Sequence, residues 1–140
     1  MLLAEDEPAD IFMMQRAVRK LGSPVELQVV SNGEEVADYF LGERRFADRD
    51  LYPLPTLVLL DIKMPRKNGF EALEWLKANP SYRDIPVVMV TSSTVTSDVE
   101  RAFSLGASAY LVKPVSIEIL QKLFTATEKF LLEVRKTVHG

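Results

Sequence analysis

The chain has 140 residues, of which 47% are hydrophobic and 26% are charged, as is typical of one folded domain. Its net charge of -3, without a basic cluster, argues against a nucleic-acid surface. The sequence contains no cysteine, so disulfides and thiolate metal sites are excluded. No apolar run approaches the about 18 residues of a membrane span, and acids stand at positions 5 to 7. We therefore expect no membrane segment, no signal peptide and a cytoplasmic location.

The first part of the chain alternates between short strands and helices. Apolar residues 2–4 predict a strand that ends in three acids, Glu5 to Glu7. Pro8 then suits the first turn of a helix, because its missing N–H would be unpaired there anyway. A second strand is predicted over 26–30, followed by a turn and cap signal at 31–33. A short amphipathic helix ended by Gly42 is predicted next, from the apolar residues Val36, Ala37, Phe40 and Leu41.

The rest of the chain repeats this alternation after a long loop. Residues 43–56 show no clear period, and loops of this length are often functional or locally disordered. Val99, Ala102 and Phe103 are expected on the inner side of a later helix. The remaining strands are predicted over 57–60, 87–90 and 109–112, and the remaining helices after Gly69, over 98–105 and over 116–135.

Five successive β–α units predict a doubly wound α/β fold with a parallel sheet. The strand ends carry polar side chains, namely Glu5 and Asp6, then Asp61, Thr91 and Lys113. Because the carboxyl ends of parallel strands lie at one edge of a sheet, these side chains should converge there.

The chemistry of this set indicates a phosphoryl-transfer site. Clustered carboxylates repel one another unless a cation lies between them, and oxygen ligands without thiolates favour Mg²⁺. A lysine ammonium pairs with phosphate, and a threonine hydroxyl can donate to a phosphoryl oxygen. Carboxylate, metal, hydroxyl and ammonium together favour transfer of a phosphoryl group to a carboxylate oxygen.

The motifs LLAEDEP, LVLLDIKMPRKNG, VVMVTSS and AYLVKP, in this order, closely resemble those of the receiver domain of two-component response regulators. The resemblance covers essentially the whole chain. It implies a flavodoxin-like (βα)5 sandwich, with five parallel strands in the order 2-1-3-4-5. It further implies one receiver domain over 1–140, without an output domain, that acts as a signalling phosphoacceptor and not as a metabolic enzyme.

The resemblance also assigns roles to individual residues. Asp61 would be the phosphoacceptor for a phosphohistidine of a sensor histidine kinase. Thr91 would donate to the phosphoryl group, and Lys113 would pair with it. The implied Mg²⁺ ligands are Asp6, Asp61 and the backbone carbonyl of Lys63, with Glu5 in contact through water.

A switch and an output surface are implied in the same way. Tyr110 matches the aromatic switch position, and the Lys113–Pro114 bond matches one that is cis in the family. Homodimerisation or partner binding would use helix 4, strand 5 and helix 5. The last helix has an apolar arc of about 160°, wider than the about 100° that a surface helix needs. This arc comprises Ile119, Leu120, Leu123, Phe124, Ala126, Thr127, Phe130, Leu131 and Val134.

The long second loop and extended last helix resemble the stand-alone regulators that pair with phytochromes, so a phytochrome is an expected kinase. Two other functions fit the sequence less well. An aspartyl-phosphate phosphatase of the haloacid dehalogenase type would need an acid where Lys63 stands. A flavodoxin-like cofactor-binding module would need a phosphate loop where Glu5 to Glu7 stand, and these acids repel phosphate.

Overall fold

The computed structural model describes residues 1–20 and 26–123. Five strands alternate with helices along the chain, as the sequence predicts. In chain order the elements are β1 (Leu2–Ala4), α1 (Pro8–Lys20), β2 (Gln28–Val30), α2 (Gly33–Leu41), a 3-10 turn (Arg44–Phe46), β3 (Val58–Leu60), α3 (Gly69–Ala78), β4 (Val87–Thr91), α4 (Thr96–Ser104) and β5 (Ala109–Val112). A last helix, α5, begins at residue 117 and is described as far as 123.

The five strands form one parallel sheet in the order β2-β1-β3-β4-β5, which confirms the predicted topology. Strands β1 and β3 are adjacent and in register, with Ala4 opposite Leu60. Every residue of β1, β3 and β4 is buried, so these strands read as unbroken apolar runs instead of alternating ones. The chain therefore leaves β1 and β3 at the same height, immediately before Glu5 and Asp61.

Two apolar cores cover the two faces of the sheet. On one face the side chains of α2, α3 and α4, among them Phe40, Leu73 and Ala102, pack on the sheet. On the other face Met14 and Val18 of α1 pack with Leu120 of α5. The molecule is thus a three-layer sandwich of the kind that right-handed β–α–β crossovers produce.

Side-chain and glycine caps define the ends of α2 and the start of α3. The side chain of Asn32 accepts a hydrogen bond from the backbone N–H of Glu35 and begins α2. Gly42 ends this helix with φ of 67°, a left-handed conformation that favours glycine. Asn68 and Glu71 form a reciprocal capping box that begins α3.

The loop over 43–56 differs from the expectation of a segment without regular structure. It contains the 3-10 turn, and the Phe46 ring is buried against Tyr39 and Tyr52. Arg49 bonds the loop to the end of α2. The loop is ordered because its own aromatic side chains reach the core, a tertiary contact that shows no sequence periodicity.

Helix α4 corrects a second expectation. Ala102 is fully buried and Val99 is partly buried, as predicted, but Phe103 is 49% exposed and does not face the core. Of the predicted last helix, residues 117–123 are described, with Leu120 buried and Ile119 exposed. The part of its apolar arc from Phe124 to Val134 lies outside the described residues. In the two described ranges, no helix has the length and apolar character needed to cross a bilayer.

Candidate phosphoryl-transfer site

The carboxyl ends of four strands bring four of the predicted site residues together. Glu5 follows β1, Asp61 follows β3, Thr91 ends β4 and Lys113 follows β5. Glu5 as a whole residue is 2% exposed, and Asp61 and Thr91 are also buried. Buried polar groups of this kind require partners, because each loses its hydrogen bonds to water.

Lys113 is the partner that these carboxylates share. Its Nζ donates to Oε2 of Glu5 at 2.6 Å and to Oδ2 of Asp61 at 2.8 Å. These are short, charge-assisted bonds in a mostly buried site, where one ammonium lies between two acids. The ammonium therefore offsets the repulsion that would otherwise separate Glu5 from Asp61.

The two acids respond differently to this environment. Burial raises the pKa of the Glu5 carboxyl to about 7, assisted by the Asp61 carboxylate and opposed by hydrogen bonds from Lys113 and the Glu7 backbone N–H. Burial also acts to raise the pKa of Asp61, but hydrogen bonds from Lys113, Glu5 and Thr91 outweigh it and hold that pKa below its ordinary value. As the pH falls through about 7, Glu5 therefore takes up a proton while Asp61 stays ionised.

The ammonium itself is held in its charged form. Burial acts to lower the pKa of Lys113, but the carboxylates of Asp10, Asp61 and Glu5 raise it above its ordinary value. An ionised Asp61 beside a permanently charged Lys113 is suited to nucleophilic attack on a phosphorus atom whose oxygens need a cation.

The turn after Asp61 depends on a glycine. The backbone N–H of Gly69 donates to the carbonyl of Ile62 at 3.0 Å. A Cβ at Gly69 would lie 2.1 Å from the carbonyl oxygen of Asp61, so no other residue allows α3 to begin this close. Gly69 thus lets the chain return to the sheet immediately behind the site.

Thr91 and Tyr110 are linked through Ser93. The backbone N–H of Ser93 donates to Oγ1 of Thr91 at 3.4 Å, and the Tyr110 hydroxyl donates to the Ser93 carbonyl at 3.0 Å. Tyr110 is partly buried on β5 and packs against the core below α4. The Lys113–Pro114 peptide bond is cis, as the family resemblance predicts.

The other predicted metal ligands lie at the rim. Asp6 is exposed, and Lys63 is joined to the site through its backbone, whose N–H donates to Oδ1 of Asp61 at 3.3 Å. Within the described ranges, no group of three or more acidic or histidine side chains has the arrangement of a preformed metal site. The donor chemistry still fits a hard cation, because every ligand candidate here is an oxygen.

One residue of the site was not identified from the sequence. Oδ2 of Asp10, in the first turn of α1, accepts a hydrogen bond from Nζ of Lys113 at 2.8 Å. A fourth acid, three residues after Glu5 to Glu7, was the available signal. The pattern could not show that the helix turns this acid toward Lys113, which is 103 residues away.

The family model described as the response regulator receiver domain matches residues 1–125. The chain belongs to this family. Receiver domains are signalling proteins and not metabolic enzymes, in agreement with the prediction, and receiver domains of this kind work with histidine kinases.

Two similar proteins align with nearly the whole of this chain. The chain is 34% identical to the probable methanogenesis regulatory protein FilR2 of Methanothrix harundinacea, over 94% of this chain and 82% of that protein. It is 32% identical to the response regulator Rcp1 of Synechocystis sp., over 94% of this chain and 88% of that protein.

Solved structures of response regulators also superpose on this chain. The phosphorylated cyanobacterial phytochrome response regulator RcpA superposes with a TM-score of 0.77 and 31% identity, over 95% of this chain and 93% of that one. The Mn²⁺-bound form of Rcp1 superposes with a TM-score of 0.72 and 31% identity, over 94% and 93%. The predicted resemblance to phytochrome response regulators is therefore confirmed.

Proposed function

We propose that this receiver domain accepts a phosphoryl group on Asp61 from a phosphohistidine of a sensor histidine kinase. The observation that carries the proposal is the buried cluster at the sheet edge. An ionised Asp61 lies there beside the ammonium of Lys113 and the hydroxyl of Thr91. This is the set of groups that phosphoryl transfer to a carboxylate requires.

The chemical step follows from these groups. A carboxylate oxygen of Asp61 attacks phosphorus, a P–O bond forms, and the P–N bond to the kinase imidazole breaks. The leaving imidazole nitrogen keeps the electron pair and takes up a proton. Lys113 pairs with the phosphoryl oxygens, and the Thr91 hydroxyl donates to one of them.

Mg²⁺ is the metal that we propose for this site, held by Asp6, Asp61 and the Lys63 carbonyl, with Glu5 in contact through water. A bound divalent cation would neutralise negative charge on the phosphoryl oxygens. The all-oxygen donor set supports a hard cation, and the similarity to a protein solved with Mn²⁺ supports a divalent one.

Incubation with acetyl phosphate and Mg²⁺ tests the proposal. Intact mass spectrometry should show the addition of one phosphoryl group to the wild type and none to Asp61→Asn. Base should remove the group quickly, as expected of an acyl phosphate. A modified Asp61→Asn variant, or a wild type that stays unmodified, would contradict the assignment of Asp61.

We propose further that phosphorylation changes the surface of α4, β5 and α5. Movement of Thr91 toward the phosphoryl group would free space for the Tyr110 ring, whose hydroxyl donates to the Ser93 carbonyl. Each element of this surface carries an exposed apolar side chain, which supports its use as an interface. These side chains are Val95 and Phe103 at α4, Val112 on β5 and Ile119 on α5.

The partner proposed for the surface of α4, β5 and α5 is a second copy of the chain. The partner proposed for the site around Asp61 is a sensor kinase. Similarity to phytochrome response regulators supports a phytochrome as that kinase. Purified phytochrome-type kinase carrying labelled phosphate should transfer its label to the wild type within seconds to minutes and not to Asp61→Asn. A kinase of another sensor class that transfers faster would contradict the phytochrome pairing alone.

A further inference from the structure

All three N–H donors of the Lys113 ammonium are used by carboxylates. Glu5 and Asp61, at the ends of neighbouring strands, accept two of them, and Asp10 accepts the third at 2.8 Å. Asp10 belongs to neither the proposed phosphoacceptor nor the proposed metal ligands. Its carboxylate nevertheless contacts the lysine that would pair with the phosphoryl group.

Asp10 is fixed by a different part of the fold from the other two acids. It is the third residue of α1, where Pro8 is the first, and a carboxylate is favoured at the N-terminal end of a helix. Its side chain is 36% exposed, against 3% for Glu5 and 9% for Asp61. Asp10 is therefore the most solvent-exposed of the three acids that contact Lys113.

This arrangement matters because a lysine side chain is long and costly to fix in one conformation. Asp61 would change its charge and shape when it receives a phosphoryl group, and Glu5 would gain a contact with the bound metal through water. Asp10 takes no part in either change. It is thus the one carboxylate of the three that can hold Lys113 in the same way before and after transfer.

We propose that Asp10 is a positioning residue, which holds the ammonium of Lys113 within reach of Asp61 and of the phosphoryl group attached there. This inference rests on the function proposed above. With Asp61 as the phosphoacceptor, α1 contributes to phosphoryl transfer through the contact of Asp10 with Lys113. Asp10 itself does not contact the phosphoryl group.

The matched test compares Asp10→Asn with Glu7→Gln. Asn keeps the size and one acceptor oxygen but removes the charge, and Glu7→Gln removes one charge just before α1 from an exposed side chain. With acetyl phosphate and Mg²⁺, Asp10→Asn should be phosphorylated about tenfold more slowly, as expected for the loss of one charge-assisted bond in the transition state. Glu7→Gln should stay within about twofold of the wild type, and Asp10→Glu, which keeps a carboxylate, should recover most of the rate.

A direct reading of the lysine distinguishes positioning from a merely structural role. In NMR spectra of the wild type, the Lys113 ammonium should exchange its protons slowly and show a coupling across the hydrogen bond to the Asp10 carboxyl carbon. In Asp10→Asn its proton exchange should accelerate while the thermal stability changes little. This measurement on the wild type does not depend on any variant folding.

The outcomes separate the two proposals. If the wild type is phosphorylated and Asp10→Asn reacts as fast as Glu7→Gln, the inference about Asp10 is overturned and the phosphoacceptor stands. If Asp10→Asn and Asp10→Glu are phosphorylated equally slowly, a carboxylate at position 10 does not restore the rate. That result also overturns the positioning role. If the wild type itself takes up no phosphoryl group, the proposed function is contradicted, and with it the role of Asp10 in phosphoryl transfer. The NMR measurement still tests the contact between Asp10 and Lys113.

Discussion

At the scale of single residues, the site is governed by one cation shared among three acids. Lys113 donates to both Glu5 and Asp61, and burial is what raises the pKa of Glu5 above that of Asp61. Composition and spacing indicate that acids meet at the sheet edge, but the order of their pKa values depends on burial and distance. An ionised phosphoacceptor beside a half-protonated neighbour is therefore a property of the folded site.

The raised pKa of Glu5 predicts a pH dependence of stability in the metal-free protein. Its folded-state pKa of about 7 lies above the ordinary value of 4.5, so the folded state binds the proton more tightly. The contribution of Glu5 to stability is complete below about pH 4.5 and is lost as the pH rises through about 7. Relative to the wild type, Glu5→Gln should gain about 1 to 3 kcal/mol in free energy of unfolding between pH 5 and pH 8.

Urea unfolding in the presence of EDTA at a series of pH values measures this difference. The lowered pKa of Asp61 does not interfere, because its contribution is lost only as the pH falls into the acid range. Parallel curves for wild type and Glu5→Gln between pH 5 and pH 8 would show that Glu5 does not titrate in this window.

At the scale of elements, helix α2 receives its C-terminal cation from outside the helix. Its last turn contains no basic residue. Nη1 of Arg49, in the following loop, instead donates to the carbonyls of Tyr39 at 2.7 Å and Tyr52 at 3.0 Å, and Nη2 donates to the Phe40 carbonyl. A guanidinium can bridge several carbonyls, so one side chain caps the helix and orders the loop.

Replacement of Arg49 by alanine should therefore destabilise the protein by about 1.5 to 3 kcal/mol, because charge-assisted bonds to partly buried carbonyls are lost. Arg83→Ala is the control, since the Arg83 side chain is exposed and such changes usually fall within about 0.5 kcal/mol. Thermal and urea unfolding measure both variants. Equal stability of the two would mean that the aromatic contacts of Phe46 and Tyr52 suffice to order the loop.

At the scale of the whole molecule, the site is connected to both helical layers of the sandwich. Lys113 and Asp10 join the end of β5 to α1 on one side of the sheet. Tyr110 and Ser93 join the site to α4 on the other. A charge change at Asp61 is thus within one or two side chains of both helical layers.

Phosphorylation-gated dimerisation through α4, β5 and α5 makes a prediction at this scale. With Mg²⁺ and beryllofluoride, a mimic of the phosphoryl group, size-exclusion chromatography with light scattering should show a dimer for the wild type and a monomer for Asp61→Asn. Phe103→Glu should stay monomeric, because it places a charge on the apolar interface. Phe12→Glu, a matched change of an exposed ring on α1, should dimerise as the wild type does.

A dimer that forms in every condition would mean that assembly is constitutive and that phosphate acts on another partner. Dimerisation of Phe103→Glu would place the interface elsewhere. Neither result bears on Asp61 as the phosphoacceptor, which the phosphorylation experiment with acetyl phosphate tests separately.

The sequence by itself determined the class of fold and most of the site. Unbroken apolar runs such as that of β3 identify strands buried on both faces, and alternation with helical patterns makes the sheet parallel. Once the strands are parallel, residues that follow them, such as Glu5, Asp61 and Lys113, must meet at one edge. These predictions depend only on local pattern and on topology, which is why they could be made without coordinates.

Only the tertiary structure decided the features that depend on distances between remote segments. The pairing of Asp10 with Lys113, the exposed position of Phe103 and the ordering of the 43–56 loop by Arg49 have no periodic signal. Each is set by how a helix or loop packs on the sheet. If a helix were rotated about its axis by the angle of one residue, a different side chain would face the site or the core. The physical reason is that sequence patterns specify faces of elements, whereas a site requires positions within a few ångströms.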